Sequence, residues 1–341
     1  MSRNDRDTLW RYRMTLLDAN CKVSAIILNY NGAPYVEKCL GSILRNRYPN
    51  FDVIFIDNNS PDGSAELTER LFGSNSRLTI IRNAKNLGFS VGNNIGFERS
   101  KAKYVIVLNN DTEVQVNFIE TLVKVAESDE TIGSVGCKII QSNGSIRYGP
   151  KYMNYGFIVH ALQKQTYEKF TVNLANCGCA VLYRKSVIDG IGGFDSLFWA
   201  DWEDHDLGYR INLAGFKSVY TPETTVLHLG GGLSLGLSRE RKIRIFRNRL
   251  LTYLKSYETR NMFLRFPLIF LLSIMRRALL TIKNKETFPL LRGLVALFGA
   301  IKPTLVERKL VQMMRTAPDR QIFKNTKIPE YMSILRAIQL S

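Results

Sequence analysis

Four short stretches of this 341-residue chain gather side chains able to bind a cation, move a proton or touch a ligand. Asp57 ends an apolar run and opens Asn58-Asn59-Ser60-Pro61-Asp62-Gly63. A carboxylate there suits a turn or helix cap, and it also faces a ligand if the run is a parallel strand. Asn109-Asn110-Asp111 follows the most strongly apolar run of the first half. Carboxylate and amide oxygens at such a strand end suit Mg²⁺ or Mn²⁺, which in turn bridge a diphosphate; the plain alternative is a cap for the helix that starts near Gln115. Asp201-Trp202-Glu203-Asp204-His205-Asp206 packs four carboxylates into six residues. Helix-dipole stabilisation of about 0.3–1 kcal/mol per acid explains one or two of them. Four repel one another, and a general base whose pKa is raised by crowding and burial supplies a further reason for them. His228, one of only three histidines, ends an apolar run before Gly230-Gly231-Gly232. Alone it is an ordinary structural histidine; beside an Asp-type metal site it becomes a third ligand.

These residues need a scaffold that presents them together. Val23–Leu28, Val53–Ile56, Leu78–Ile81 and Tyr104–Leu108 read as strands, about 25 residues apart. Helical stretches lie between them: the segment opened by Pro34 with Val36, Cys39, Leu40, Ile43 and Leu44 on one face, Ser90–Ser100, and Phe118–Ala126 after the fourth strand. Apolar strands alternating with helices indicate parallel βαβ units, whose ligands sit at the strands' carboxyl ends. Asn29-Tyr30-Asn31, Asp57-Asn58-Asn59 and Asn109-Asn110-Asp111 would then share one edge, with no GxGxxG or P-loop glycine pattern. Further on, Gln141–Asn176 gives poor signals, Ala180–Tyr183 is a brief strand, and Gly190–Asp195 is a glycine-dense turn. Asp201–Leu213 reads as a helix and Val226–Leu229 as a strand.

The net charge of +17 is confined to one part of the chain: residues 239–341 hold 22 Lys and Arg against 6 Asp and Glu, whereas the preceding 238 balance 25 against 24. Met262–Ile274 and Leu290–Ile301 are apolar helical segments within this basic third, the second ended by Lys302-Pro303. Both fall short of the roughly 20 residues that span a bilayer. They suit an in-plane element beside anionic headgroups; the alternative is a helical subdomain packed on the body with its arginines solvated. No groove-reading motif suggests nucleic acid. Five cysteines without CxxC spacing read as reduced thiols, and Cys177-Gly178-Cys179 lacks a second cluster for zinc. Residues 1–20 mix charge signs and lack the apolar core of a secretory signal.

The order VSAIILNYNG, FIDNNSPDGS, NAKNLGFSVGNNIGF, VLNNDTEV, then GCAVLYRKSVIDGIGGFD, WADWEDHDLGYR and VLHLGGGLS resembles the family 2 glycosyltransferases of glycosyltransferase-A fold, nearest the bacterial rhamnosyltransferase-like enzymes. The resemblance covers roughly residues 22–235. It implies an α/β fold: a mainly parallel Rossmann-like sheet flanked by helices, with a nucleotide-sugar-binding half (22–140) and an acceptor and catalytic half (141–238); the basic, mostly helical region (239–341) and an N-terminal extension (1–21) lie outside it. By the same resemblance, Asp57 and Tyr30 would meet the nucleobase, and Asn86, Gly88, Phe89 and Asn93 would line the nucleotide pocket. Asp111 matches the last acid of a DxD-type motif and His228 a position that completes metal coordination. Asn109 stands where the motif's first acid would be and is placed with the nucleotide-binding residues. Asp204 matches the catalytic base, with Trp199, Trp202 and Glu203 on the acceptor side.

The implied reaction is Mg²⁺- or Mn²⁺-dependent inverting transfer from a nucleotide-sugar, dTDP-rhamnose ahead of UDP-hexoses, to a glycan or polyprenyl-linked acceptor in bacterial surface polysaccharide assembly. The basic third would hold the enzyme on the anionic cytoplasmic face of the membrane, and the Gly230–Gly232 loop would close over the donor. A sugar-phosphate nucleotidyltransferase fits less well, because Asn29–Pro34 holds no basic residue for a phosphate loop. A catalytically inactive, membrane-tethered binding module is the rival from another class; retention of Asp57, Asp111, Asp204 and His228 together speaks against it.

Overall fold

The computed structural model describes residues 21–325 apart from 143, 149–150, 155–156, 161–167, 169, 231–237 and 285–289. The expected N-terminal extension up to residue 20, Gly231 and Gly232 of the expected closing loop, and the last 16 residues of the basic region lie outside the described residues.

Twelve strands are described: β1 (Val23–Asn29), β2 (Phe51–Asp57), β3 (Leu78–Arg82), β4 (Tyr104–Asn109), β5 (Thr112–Val114), β6 (Ile132–Gln141), β7 (Ile146–Tyr148), β8 (Lys151–Asn154), β9 (Phe157–His160), β10 (Thr171–Asn173), β11 (Ala180–Arg184) and β12 (Lys217–His228). Ten of them form one sheet in the order β10-β12-β6-β11-β4-β1-β2-β3, with β5 beside β12 and β7 beside β6. β3, β2, β1 and β4 run parallel, β11 runs against both β4 and β6, and β12 is parallel to β6. The main path is therefore mainly parallel, as expected. Because β11 is reversed, its amino-terminal end and the segment before it arrive at the carboxyl edge of β4.

Successive residues of a strand face opposite sides, and both sides of this sheet are covered. Val23, Ala25 and Ile27 pack with Cys39, Leu40 and Ile43 of α1 (Val36–Leu44). Ile26, Ile54, Val105 and Val107 face the other way, with Phe97. α2 (Ser64–Phe72) and α3 (Gly88–Arg99) complete the first βαβ units, and α4 (Phe118–Glu127) adds Phe118, Ile119 and Leu122 to the α1 side. α5 (Lys185–Ile191) and α6 (Glu203–Leu213) join the α3 side through Val187, Ile188, Leu207 and Ile211. This two-sided burial explains why the strands are continuous apolar runs with little alternation.

A third core joins the body to the basic region: α7 (Arg239–Ser256), α8 (Thr259–Asn284), α9 (Leu290–Met313) and α10 (Asp319–Asn325). Phe246, Leu250 and Leu251 of α7 pack with Leu174, Phe198 and Tyr209 of the body, each such apolar side chain contributing roughly 1.5–3 kcal/mol.

Several boundaries differ from the sequence expectation. The helix expected from Asp201 begins at Glu203, because Asp201 and Trp202 are left-handed, with φ of 68° and 77°. The strand expected at Val226–Leu229 is the end of the 12-residue β12. Gly192 and Gly193, at φ 80° and 66°, form the expected turn, but a short helix, α5, runs into it. The helix expected to stop at Lys302-Pro303 continues to Met313. Tertiary bonds outweigh the proline: Arg308 Nη1 donates to Leu254 O at 2.8 Å and Tyr257 O at 2.6 Å. The weakly signalled Gln141–Asn176 stretch carries short strands, β8 and β9 forming a separate pair.

Candidate active site

Asn29, the last residue of β1, is the hub of the carboxyl edge. Its Nδ2 lies 2.8 Å from Asp57 Oδ1, 2.7 Å from Ser64 Oγ and 3.1 Å from Ser60 Oγ, while its Oδ1 accepts from Asn110 Nδ2 at 2.7 Å. Asp57 is buried and also accepts from the Ser60 N–H at 3.0 Å. It thus shapes the turn after β2. Tyr30, beside Asn29, is exposed. Asn58, also buried, donates to Gly88 O and Asn86 Oδ1, and Asn86 Oδ1 accepts the Gly88 N–H at 2.9 Å. Together they fix the loop into α3. Gly88 sits at φ 77°, and a Cβ there would meet the Trp199 ring at 2.6 Å. Phe89 packs edge-on against Phe194, and Asn93, buried, donates to Phe89 O.

The short pairing of β5 with β12 sets Thr112 opposite His228, and this brings Asp111 to the histidine. His228 Nε2 lies 3.3 Å from Asp111 Oδ1. That oxygen is buried and has no hydrogen-bond partner among the described residues. The Leu229 N–H binds Asp111 O at 2.7 Å, and a Cβ on Gly230 would come within 1.9 Å of Asp111 Oδ2. An unsatisfied buried carboxylate oxygen beside an imidazole fits a hard divalent cation. Among the described residues no group of three His, Cys, Asp or Glu is gathered there. Asn109 ends β4; its carbonyl accepts from Thr112 Oγ1 at 2.6 Å. The neighbouring thiols stay protonated: burial pushes Cys39 up to about 12, and the Cys177 contact with burial raises Cys179. None of the five cysteines is in a disulfide.

The segment before β11 links this pair to the acidic stretch. Asn109 N donates to Cys179 O at 2.9 Å, and Gly178 N donates to Asp204 Oδ2 at 3.0 Å. Phe89 lies against the same glycine. The other oxygen of Asp204, Oδ1, is 2.6 Å from His205 Nδ1, and the His205 ring stacks on Trp202 at 3.9 Å and 5°. One proton-accepting carboxylate is therefore oriented by a backbone N–H and an imidazole. Glu203 is buried beside it. Trp199 is exposed at φ 54°, under the guanidinium of Arg244 at 5.0 Å.

The four acids do not simply repel one another, which corrects the electrostatic argument from sequence. Asp201 is held by Arg241 at 2.8 Å and Arg244 at 2.9 Å. Asp206, fully buried, is held by Arg210 at 2.8 Å and Lys255 at 2.9 Å. Asp204 is held by His205 and the Gly178 N–H instead. Arg241, Arg244, Arg247 and Arg249 of α7 are correspondingly not a solvated face. Asn248 on the same helix is fully buried and donates to the carbonyls of Phe198, Ala200 and Asp201, the last at 2.6 Å.

Asn29, Asn58, Gly178, His205 and Asn248 had no assigned role in the sequence, and Gly230 was expected only in a loop closing over the donor. Asn29 stood in a flagged strand-end triplet and His205 inside the acidic stretch; Asn248, amid arginines, gave no local signal.

Comparison with known proteins follows the same outline. The family model "Glycosyl transferase family 2" matches residues 24–192. The chain is 28% identical to the O-antigen biosynthesis protein RfbC of Myxococcus xanthus over 61% of its own length but 17% of that protein's. It is 27% identical to an N-acetylglucosaminyl-diphospho-decaprenol L-rhamnosyltransferase of Mycobacterium tuberculosis, covering 60% of this chain and 74% of the relative. Among solved structures it is similar in fold to GalNAc-T7 with UDP, GalNAc and Mn²⁺ (TM-score 0.59, 15% identity, 81% and 60% of the two chains). It is likewise similar to the mannosyltransferase PcManGT of Pyrobaculum calidifontis with GDP-Man and Mn²⁺ (TM-score 0.54, 16% identity, 91% and 92%).

Proposed function

Because the chain belongs to glycosyl transferase family 2 through residues 24–192, we propose that it is a metal-dependent inverting glycosyltransferase. Its donor is a nucleoside-diphosphate sugar, dTDP-rhamnose first. Its acceptor is a glycan or a polyprenyl-linked saccharide of bacterial surface polysaccharide assembly. The observation that carries this is the placement of an oriented carboxylate, Asp204, and an Asp111–His228 pair at the same sheet edge, connected through Gly178, Cys179 and Asn109. The donor preference draws on the name of the Mycobacterium tuberculosis relative; the metal and the nucleotide draw on the names of the structures similar in fold.

Asp111 and His228 would hold Mg²⁺ or Mn²⁺, which when bound supplies Lewis-acid neutralisation of a leaving diphosphate. The chain's own residues account for the rest. Asp204 takes the proton from an acceptor hydroxyl while that oxygen bonds to the anomeric carbon and the bond to the diphosphate breaks. The Gly178 N–H and His205 keep the carboxylate aimed. Asp57, beside Asn29 and the exposed Tyr30, faces the base. The Asn58–Asn86–Gly88 bonds hold the backbone close to the nucleotide, where glycine leaves room. Trp199, Trp202 and Glu203 bound the acceptor side.

A transfer assay tests this. The full chain with Mn²⁺ is incubated with dTDP-rhamnose, UDP-GlcNAc or GDP-mannose and a polyprenyl-diphospho-GlcNAc acceptor. The expected result is release of nucleoside diphosphate together with a one-sugar mass gain on the acceptor. Neither signal with any donor would contradict the assignment.

A further inference from the structure

α9 is apolar on two opposite faces. Gly293, Leu297, Ala300, Thr304, Arg308 and Val311, at helical spacing, are buried, on the side that packs against α7. On the outward side Leu291, Val295, Phe298, Val306 and Met313 are each 59% or more exposed. α8 repeats the pattern, with Ile269 and Ser273 inside and Leu264, Leu268, Leu271 and Met275 outside at 50% or more. Of the 17 large apolar side chains exposed among the described residues, 12 lie on these two helices. Monomers in water rarely present so much contiguous apolar surface without a partner for it.

We propose that the outward face of α8 and α9 is a lipid-docking surface for the anionic cytoplasmic leaflet of a membrane. The occupant is chosen by charge. Lys302 and Lys309 share a shallow groove on α9 with Phe298, Leu305 and Val306, and Arg292 is exposed one turn from Val295. Cations interleaved with apolar side chains suit an interface where the chains enter the acyl boundary and the ammonium groups reach phosphate. No described helix is long and apolar enough to cross a membrane, so the two helices lie in its plane. A second copy would set these cations against their own equivalents. The segments 1–20 and 326–341 carry no net negative charge to complement these cations: residues 1–20 hold four arginines against three aspartates, and residues 326–341 two cations against one glutamate. Arg241, Arg244, Lys255 and Arg308 are occupied within the fold, whereas Arg292, Lys302 and Lys309 lie exposed along the outward side of α9.

The test is co-sedimentation of the full chain with vesicles of phosphatidylcholine alone or of phosphatidylcholine mixed with phosphatidylglycerol, whose anionic headgroups give the surface a negative potential. Binding to the anionic vesicles should exceed that to the neutral ones by about tenfold or more and weaken with salt. The double variants Lys302→Glu/Lys309→Glu and Phe298→Ser/Val306→Ser should each lower it about tenfold while leaving nucleoside-diphosphate binding unchanged. Equal binding to both vesicle types, no binding, or anionic binding indifferent to both double variants would overturn the proposal. So would a dimer in sedimentation velocity that Phe298→Ser/Val306→Ser dissociates, with no vesicle binding. These outcomes are independent of whether the chain transfers sugar, so the two proposals fail separately.

Discussion

His228 Nε2 stands 3.3 Å from Asp111 Oδ1, joined not by proximity in sequence but by the pairing of β5 with β12. Gly230 completes the arrangement, since a Cβ there would fall 1.9 Å from Asp111 Oδ2. Gly230→Ala should therefore displace the carboxylate and weaken metal-dependent nucleotide binding by about tenfold or more, as loss of a ligand's support does. Circular dichroism should show a melting temperature close to that of the wild type. Unchanged affinity in the presence of Mn²⁺ would remove Asp111 from the metal site.

Asp204 has two fixed contacts, the Gly178 N–H and His205. Asp204→Asn keeps an oxygen for the first but cannot accept a proton at working pH. Transfer should fall by about 10²–10⁴-fold, the usual contribution of a general base, with donor binding by calorimetry within about threefold of the wild type. A variant that transfers at the wild-type rate would show that the proton goes elsewhere.

Gly88 combines a left-handed backbone with direct contact to Trp199. Gly88→Ala adds about 1–2 kcal/mol of backbone strain to about 1–3 kcal/mol of overpacking. Chemical denaturation should register a loss of about 2 kcal/mol or more, and Trp199 fluorescence should shift as the ring moves. A neutral result would mean that the ring yields freely.

Asp195 and Lys255 tie the loop before the acidic stretch to α7. Burial alone would raise the Asp195 carboxyl; the Lys255 ammonium and Arg210 overcome it and hold the group below its ordinary value. The ionised group thus contributes stability above the ordinary carboxylate pKa of about 3.9, and that contribution is lost as pH falls through the lowered folded value. Lys255→Met should cost about 3–5 kcal/mol at neutral pH, the range for stranding one partner of a buried pair. Its denaturation midpoint should then change less between pH 5 and pH 3 than that of the wild type. Parallel pH curves for the two proteins would exclude this pair as a source of the acid sensitivity.

Asn248 supports three consecutive-loop carbonyls around Trp199 and Asp201, where φ is 54° and 68°. Asn248→Leu removes those bonds, each buried carbonyl left unsatisfied costing about 1–3 kcal/mol. The variant should lower kcat more than it alters donor binding, because the loop leads into Asp204. A purely global loss of stability, with kcat preserved at low temperature, would give Asn248 a structural role alone.

What the sequence made legible was local. Val23–Asn29 and Tyr104–Asn109 are apolar on both faces, so their strand character and the polar residues at their ends follow from composition and period. That His228 would meet Asp111 in particular was a conditional reading of the residues, and the family resemblance made it specific. The α7 contacts were not legible: Arg241, Arg244 and Lys255 find Asp201, Asp195 and Asp206 across the fold, and charge pairs so distant in sequence leave no period. The same holds for α9, which runs through Pro303 because Arg308 is fastened to the carbonyl end of α7. Local propensity ended the helix where tertiary bonds continue it.

The most direct test of the central claim is calorimetric titration of the wild-type chain with dTDP, UDP and GDP, each in Mn²⁺ and in EDTA. The account predicts binding of at least one nucleotide in Mn²⁺, tightest for dTDP, that EDTA abolishes and Asp111→Ala weakens about tenfold or more. No binding of any nucleotide, or binding of equal strength in Mn²⁺ and EDTA, would contradict it.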